Sequence, residues 1–249
     1  MQQIVIVSVQ GLIGAGKTIF TERLSKYLHD NGIENEIAYE PVKKWIEIKA
    51  LDALYSNPER MAYAFQSYAL TTRVNEIKEK YELLKIKSGY LKVLIMDRDN
   101  DSDKIFATLL KDNMTNIEFE MYKTWYDSWK EMLGEINNLP KIIVVIGTSV
   151  QECSRRIINR GREVESNISE EYQSNLLRLH ENYYIHNNLV DFKRDEKNII
   201  KWVPIELCNS NFKENDLEFS KLLKFIFNND DNLIENPFSF IADLVNLHI

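Results

Sequence analysis

Residues Gly11-Leu12-Ile13-Gly14-Ala15-Gly16-Lys17-Thr18 fit G-x-x-x-x-G-K-[ST] and come directly after the apolar run at residues 4–9. Few folds accept a strand that ends in a Gly-rich turn and opens into a helix. The N–H groups of such a turn wrap a polyphosphate, the lysine reaches its β- and γ-phosphates, and the Thr hydroxyl holds Mg²⁺. Gly11, Gly14, Ala15, Gly16, Lys17 and Thr18 are therefore the candidate phosphate-binding residues, with Thr18 also a metal ligand. The plain alternative is a strand–turn–helix corner with a surface lysine.

Apolar runs at residues 4–9, 37–39, 91–96, 142–147 and 199–205 predict strands, and the segments between them carry helical spacing. This alternation predicts an α/β, P-loop NTPase-like three-layer fold, with a central five-stranded parallel sheet flanked by helices. Functional residues are then expected just after strands. The first helix is predicted from Lys17 to near Gly32, and a long one from Pro58 toward Lys87. A third spans roughly residues 117–139 and stops before Pro140. Its Tyr122, Trp125, Tyr126 and Trp129 repeat at i, i+3, i+4, i+7, the spacing of a core or dimer face. No Pro/Gly/Ser-rich linker divides the 249 residues, so one domain is expected over 1–228. A polar break from Asn228 to Asn232 sets off an extension over 229–249.

A formal charge of −7 disfavours nucleic acid or an anionic membrane as the main partner. No apolar run reaches membrane-spanning length. Cys153 and Cys208 match no disulfide framework or zinc spacing and are expected to be packed thiols. With no basic or apolar leader before Ile4, a cytoplasmic location is expected.

Three sites carry candidate chemistry. Glu40 follows the second strand, where a carboxylate can take a proton from an attacking hydroxyl or simply favour a helix N-terminus. Asp97-Arg98 follows the third strand; the Asp resembles a Walker B acid that positions Mg²⁺, and the Arg can pair with a phosphoryl group or with Glu40. Arg155, Arg156, Arg160 and Arg162 crowd around Gly161. They suit an arginine-rich lid over about residues 155–167 that clamps phosphates, or a solvated basic helix end.

Glu40-Pro41-Val42-x-x-Trp45, the segment P-E-R-M-A-Y-A-F-Q-S-Y-A-L-T-T-R, the Asp97-Arg98 pair and R-R-I-I-N-R-G-R occur in this order. In this the chain resembles the deoxyribonucleoside kinases, most of all the deoxycytidine/deoxyguanosine branch and bacterial deoxyadenosine/deoxyguanosine kinases. The resemblance covers residues 4–227. It implies ATP- and Mg²⁺-dependent phosphorylation of a nucleoside 5′-hydroxyl in nucleotide salvage, by a homodimer. Glu40 would be the base and Arg98 would steady it and the phosphoryl group. Tyr55 and Glu165 would bind the sugar 3′-hydroxyl, Gln66 would read the base edge, Phe65 and Phe106 would sandwich the base, and Trp45 would wall the pocket. Ala69, Arg73 and Asp103 fall where cytidine and purine kinases carry the same residues, which favours deoxycytidine or a deoxypurine nucleoside over thymidine. Asn211 and Phe212 match loosely the loop that contacts the donor adenine.

The chain departs from that pattern at Asp97-Arg98-Asp99, where many relatives have Glu-Arg-Ser. Asp99 is expected to recruit a second hydrated Mg²⁺, to pair with Arg98, or to mark an altered acceptor. A deoxynucleoside monophosphate kinase, with Lys43, Lys44 or lid arginines on the acceptor phosphate, is the alternative enzyme. A nucleotide-binding module without transfer activity is the alternative class.

Overall fold

The protein is seen in a computed structural model that describes residues 3–166, 168–189, 191–192, 198–204, 208, 219, 221–223 and 226. Among them, five strands form one parallel sheet in the order β2-β3-β1-β4-β5. β1 (Gln3–Gly11) leads into α1 (Lys17–Asp30) and then to β2 (Glu34–Ala38). Two short helices, α2 (Val42–Glu47) and α3 (Ala50–Ser56), precede the long α4 (Pro58–Lys85) and β3 (Leu91–Asp97). The chain continues through α5 (Asn100–Leu109) and α6 (Asn116–Met132) to β4 (Lys141–Ile146). It then forms α7 (Val150–Arg160), α8 (Glu170–Tyr184) and β5 (Ile199–Val203).

The middles of the central strands are near-continuous apolar runs because helices cover both faces. Val5, Ile6 and Val7 of β1 and Val93, Leu94 and Ile95 of β3 have no exposed surface. The connections after β1 and β3 leave in opposite directions, so a crevice opens at the carboxyl ends of these strands. Register places Asp97 beside Val9, two residues before the glycine loop begins.

All five predicted strands are present. Pro58 opens α4, with Asn57 accepting from the Arg60 N–H at 3.2 Å as its cap. The third predicted helix differs. α6 stops at Met132 and a 3₁₀ turn follows over Gly134–Asn138, since Gly134 takes a left-handed φ of +54° that no helix continues. Its aromatic residues divide. Tyr122 and Tyr126 are core, whereas Trp125 stands 51% exposed. Both cysteines are buried free thiols, and no helix among the described residues is long and apolar enough to cross a membrane. Asn211, Phe212 and the 229–249 extension lie outside the described residues.

Candidate active site

The loop after β1 owes its shape to its glycines. Gly14 has φ +83°, and a Cβ there would stand 2.7 Å from the Cys153 carbonyl of α7. Gly16, at φ +101°, is the N-cap of α1. Helix and loop are thus closer than any side chain permits. Side chains brace the loop from outside. Gln173 of α8 donates to the Ile13 carbonyl at 2.6 Å, and Thr148 and Arg156 donate to the Ala15 carbonyl at 3.0 Å each.

Lys17 folds back to the Leu12 carbonyl at 2.9 Å. Burial, then the Arg98 guanidinium, lower its ammonium to about 8 against the pull of Asp97 and Glu40. A bound polyphosphate would reverse that balance. Thr18 donates to Asp97 Oδ2 at 2.5 Å, while Asp97 Oδ1 is buried with no hydrogen-bond partner among the described residues.

Beyond the loop lies a cavity of about 580 Å³, within the range of small-molecule sites. Its floor holds Glu40, Arg73, Asp97 and Arg98. Glu40 Oε1 receives Arg73 Nη2 at 3.0 Å and lies 3.4 Å from Arg98 Nε. Burial opposes ionisation of Glu40, but Arg98, Arg73 and Lys17 together outweigh it and hold the carboxyl at about 2. Oε2 remains unclaimed by these arginines. Arg98 adopts a left-handed φ of +67°, which costs a non-glycine roughly 1–2 kcal/mol. Its guanidinium stacks 4.8 Å from the Phe106 ring centre.

Arg73 is the junction of the far wall. Its Nε donates to Asp103 Oδ2 at 3.0 Å, and its Nη1 is buried without a hydrogen-bond partner among the described residues. Asp103 has its carboxyl pushed up to about 6 by burial, against the pull of Arg73. Gln66 and Ala69, two turns and one turn before Arg73 on α4, also line the cavity. Trp45 packs edge-on against Phe65, ring centres 5.4 Å apart, and donates to Thr72 at 2.9 Å.

Residues of the predicted lid border the opposite end. Arg160 and Arg162 line the cavity and both pair with Glu165, Arg162 at 3.1 Å. Tyr55 also faces this end; burial, then Tyr172 and Glu165, raise its phenol far above the ordinary value. Two lid arginines lie elsewhere. Arg156 does not line the cavity and instead braces the loop, and Arg155 is solvent-exposed and pairs with Glu152 at 2.7 Å.

The expectation for Asp99 needs correction. It is fully buried, does not line the cavity, and accepts from Gln10 and Lys141 rather than from Arg98. Sequence reasoning also missed Tyr172, which lines the cavity, and Gln173 beneath the loop. Their one signal is position, in the first turn of a helix capped by Ser169, which accepts from the Tyr172 N–H at 3.0 Å.

A glycine loop between β1 and α1, an Asp beside it on β3 and a five-stranded parallel sheet define the P-loop NTPase-like class. A sequence profile of the deoxynucleoside kinases matches residues 7–229. The chain belongs to that family and is a phosphotransferase with an alcohol-group acceptor. It is 34% identical over 192 residues to the probable deoxycytidine kinase of fowlpox virus, covering 75% of this chain and 74% of the relative. Over 206 residues it is 31% identical to the deoxycytidine kinase of Bos taurus, with 74% and 76% covered. A deoxyguanosine kinase of Lactobacillus acidophilus is 29% identical over 187 residues, with 72% and 75% covered.

Proposed function

We propose that the protein transfers the γ-phosphoryl group of ATP to the 5′-hydroxyl of deoxycytidine or a deoxypurine nucleoside, in nucleotide salvage. The carrying observation is the state of Glu40. Oε1 accepts from Arg73 and is ion-paired with Arg98, while among the described residues no hydrogen bond reaches Oε2, which can meet a hydroxyl in the cavity that Lys17 and Thr18 also line. In this reading Glu40 accepts the hydroxyl proton. Lys17 and Arg98 face the charge that builds on the transferring group, supported by Arg160 and Arg162 once phosphates draw them from Glu165. Gly11, Gly14, Ala15 and Gly16 shape the loop that presents N–H groups to the donor, and Arg156 stiffens it.

Thr18 and Asp97 fit a hydrated Mg²⁺, because Asp97 Oδ1 is a buried acceptor without a donor. When bound, Mg²⁺ would neutralise charge on the donor's β- and γ-oxygens. Tyr55 and Glu165 take the sugar 3′-hydroxyl. Phe65, Phe106 and Trp45 enclose the base, and Gln66 and Ala69 border its edge. Arg73 presents Nη1 to an acceptor on the base, while Asp103 fixes the guanidinium plane. The Asp103 carboxylate beside it can accept from an exocyclic amino group; thymine, with a carbonyl there, leaves buried polar atoms unpaired at about 1–3 kcal/mol each.

The working form in this proposal is a cytoplasmic homodimer that does not engage nucleic acid. Ile117, Met121 and Trp125 of α6 recur every four residues and are 73%, 47% and 51% exposed. Such a stripe is what a helix pairing with a second copy presents. The test of the chemistry is Glu40→Gln, which keeps the size of the side chain and removes its basicity. Turnover with bound nucleoside should fall by ~10²–10⁴; near-normal turnover would rule Glu40 out as the base.

A further inference from the structure

Asp99 lies next to Arg98, yet the chemistry above does not use it. Its side chain has no exposed surface. Oδ1 accepts from the Asp101 N–H at 2.9 Å, which caps α5, and from Gln10 Nε2 at 3.0 Å. Oδ2 accepts from Lys141 Nζ at 3.2 Å, from the first residue of β4. Gln10 immediately precedes Gly11, where the phosphate loop begins, and its side-chain Oε1 accepts from the Ser102 hydroxyl of α5. One carboxylate therefore joins β1, β4 and α5. The same helix carries Asp103 and Phe106 into the cavity.

Arg98 is the residue most in need of such a fixture. Its φ of +67° is unfavourable for any side chain, and its N–H is tied to the Val9 carbonyl at 3.0 Å. A shift of α5 relative to β1 would change both the direction of the guanidinium and the distance between the phosphate loop and the acceptor wall.

We propose that Asp99 is a positioning residue for phosphoryl transfer: it locks α5 and the Arg98 backbone to β1, so that the guanidinium meets Glu40 and the phosphoryl group in one geometry. The inference rests on the kinase reading above. Asp99 touches neither substrate and acts through Arg98 and α5. A serine at this position can cap α5, but one hydroxyl cannot also serve Gln10 and Lys141. An asparagine keeps the cap and a second acceptor interaction and loses the negative charge facing Lys141.

Steady-state kinetics on the full chain with deoxycytidine and ATP test this through Asp99→Ser, Arg98→Lys and the double variant, with thermal midpoints measured alongside. For Asp99→Ser, kcat should fall about tenfold or more while both KM values stay within about threefold. In the Arg98→Lys background the same change should cost less than about twofold, because the two residues act as one unit. Should Asp99→Ser fail to fold, Asp99→Asn enters the same cycle with a smaller expected loss. Equal fold-losses in both backgrounds, or a loss that merely tracks the unfolded fraction, would overturn the role. A wild-type chain that phosphorylates no deoxynucleoside would overturn the functional reading itself and the role with it; an active wild type with a multiplicative cycle overturns the role alone.

Discussion

Arg73 shows how one side chain serves two parts of a site. Nε is fixed by Asp103, Nη2 by Glu40, and Nη1 has no hydrogen-bond partner among the described residues, so the guanidinium plane spans the proposed base-reading wall and the proposed proton acceptor. Substituting methionine removes the donor to the base and leaves Asp103 without its partner. Arg73→Met is expected to lower the ratio of kcat/KM for deoxycytidine over thymidine by about tenfold or more; an unchanged ratio in competition assays would mean that Arg73 does not read the base. Glu40, Asp97 and Arg98 were visible in the sequence because each follows a strand. The bond between Arg73 and Glu40 was not, since it joins residues 33 positions apart on separate elements. Asp99 misled for a related reason: its neighbours in sequence face the cavity, while its own carboxylate is turned into the core by the α5 cap.

Helix α8 ties the lid side of the molecule to the phosphate loop. Its Gln173 is fully buried and holds the Ile13 carbonyl at 2.6 Å, while the adjacent Tyr172 borders the cavity. Gln173→Leu would leave that carbonyl without its donor in a buried place and loosen the loop. The expected result is a several-fold rise in KM for ATP, with the KM for the nucleoside within about twofold, because only the donor's contacts depend on the loop. A nucleoside KM that rises instead would place Gln173 on the acceptor side. Strands, the first helix and the start of α4 were legible from apolar runs, the glycine loop and Pro58. Helices α2 and α3 were not singled out, as each is two turns or fewer and too short for a period to show. α6 ends earlier than its apolar spacing predicts because the left-handed turn at Gly134 carries no apolar signal of its own.

At the scale of the whole molecule, the sheet places the glycine loop and Asp97 on neighbouring strands, and the helices between β2 and β4 line much of the cavity beside them. The alternating β/α pattern predicts that functional residues follow the strands, whereas the cavity's size and its shared arginines depend on packing among α2, α4 and α5. The exposed Ile117, Met121 and Trp125 stripe predicts self-association. Sedimentation should give twice the 29.3 kDa chain mass for the native protein, and the single-chain mass for a Met121→Asp/Trp125→Asp variant at micromolar concentration; identical values for both would remove α6 from the interface. The central claim is the acceptor, and ADP formation measured with ATP and Mg²⁺ over the four deoxynucleosides and their 5′-monophosphates tests it most directly. Turnover is predicted with deoxycytidine or a deoxypurine nucleoside, weaker turnover with thymidine, and little with any monophosphate. Turnover confined to monophosphates, or ATP binding without ADP release from any of the eight, would contradict it.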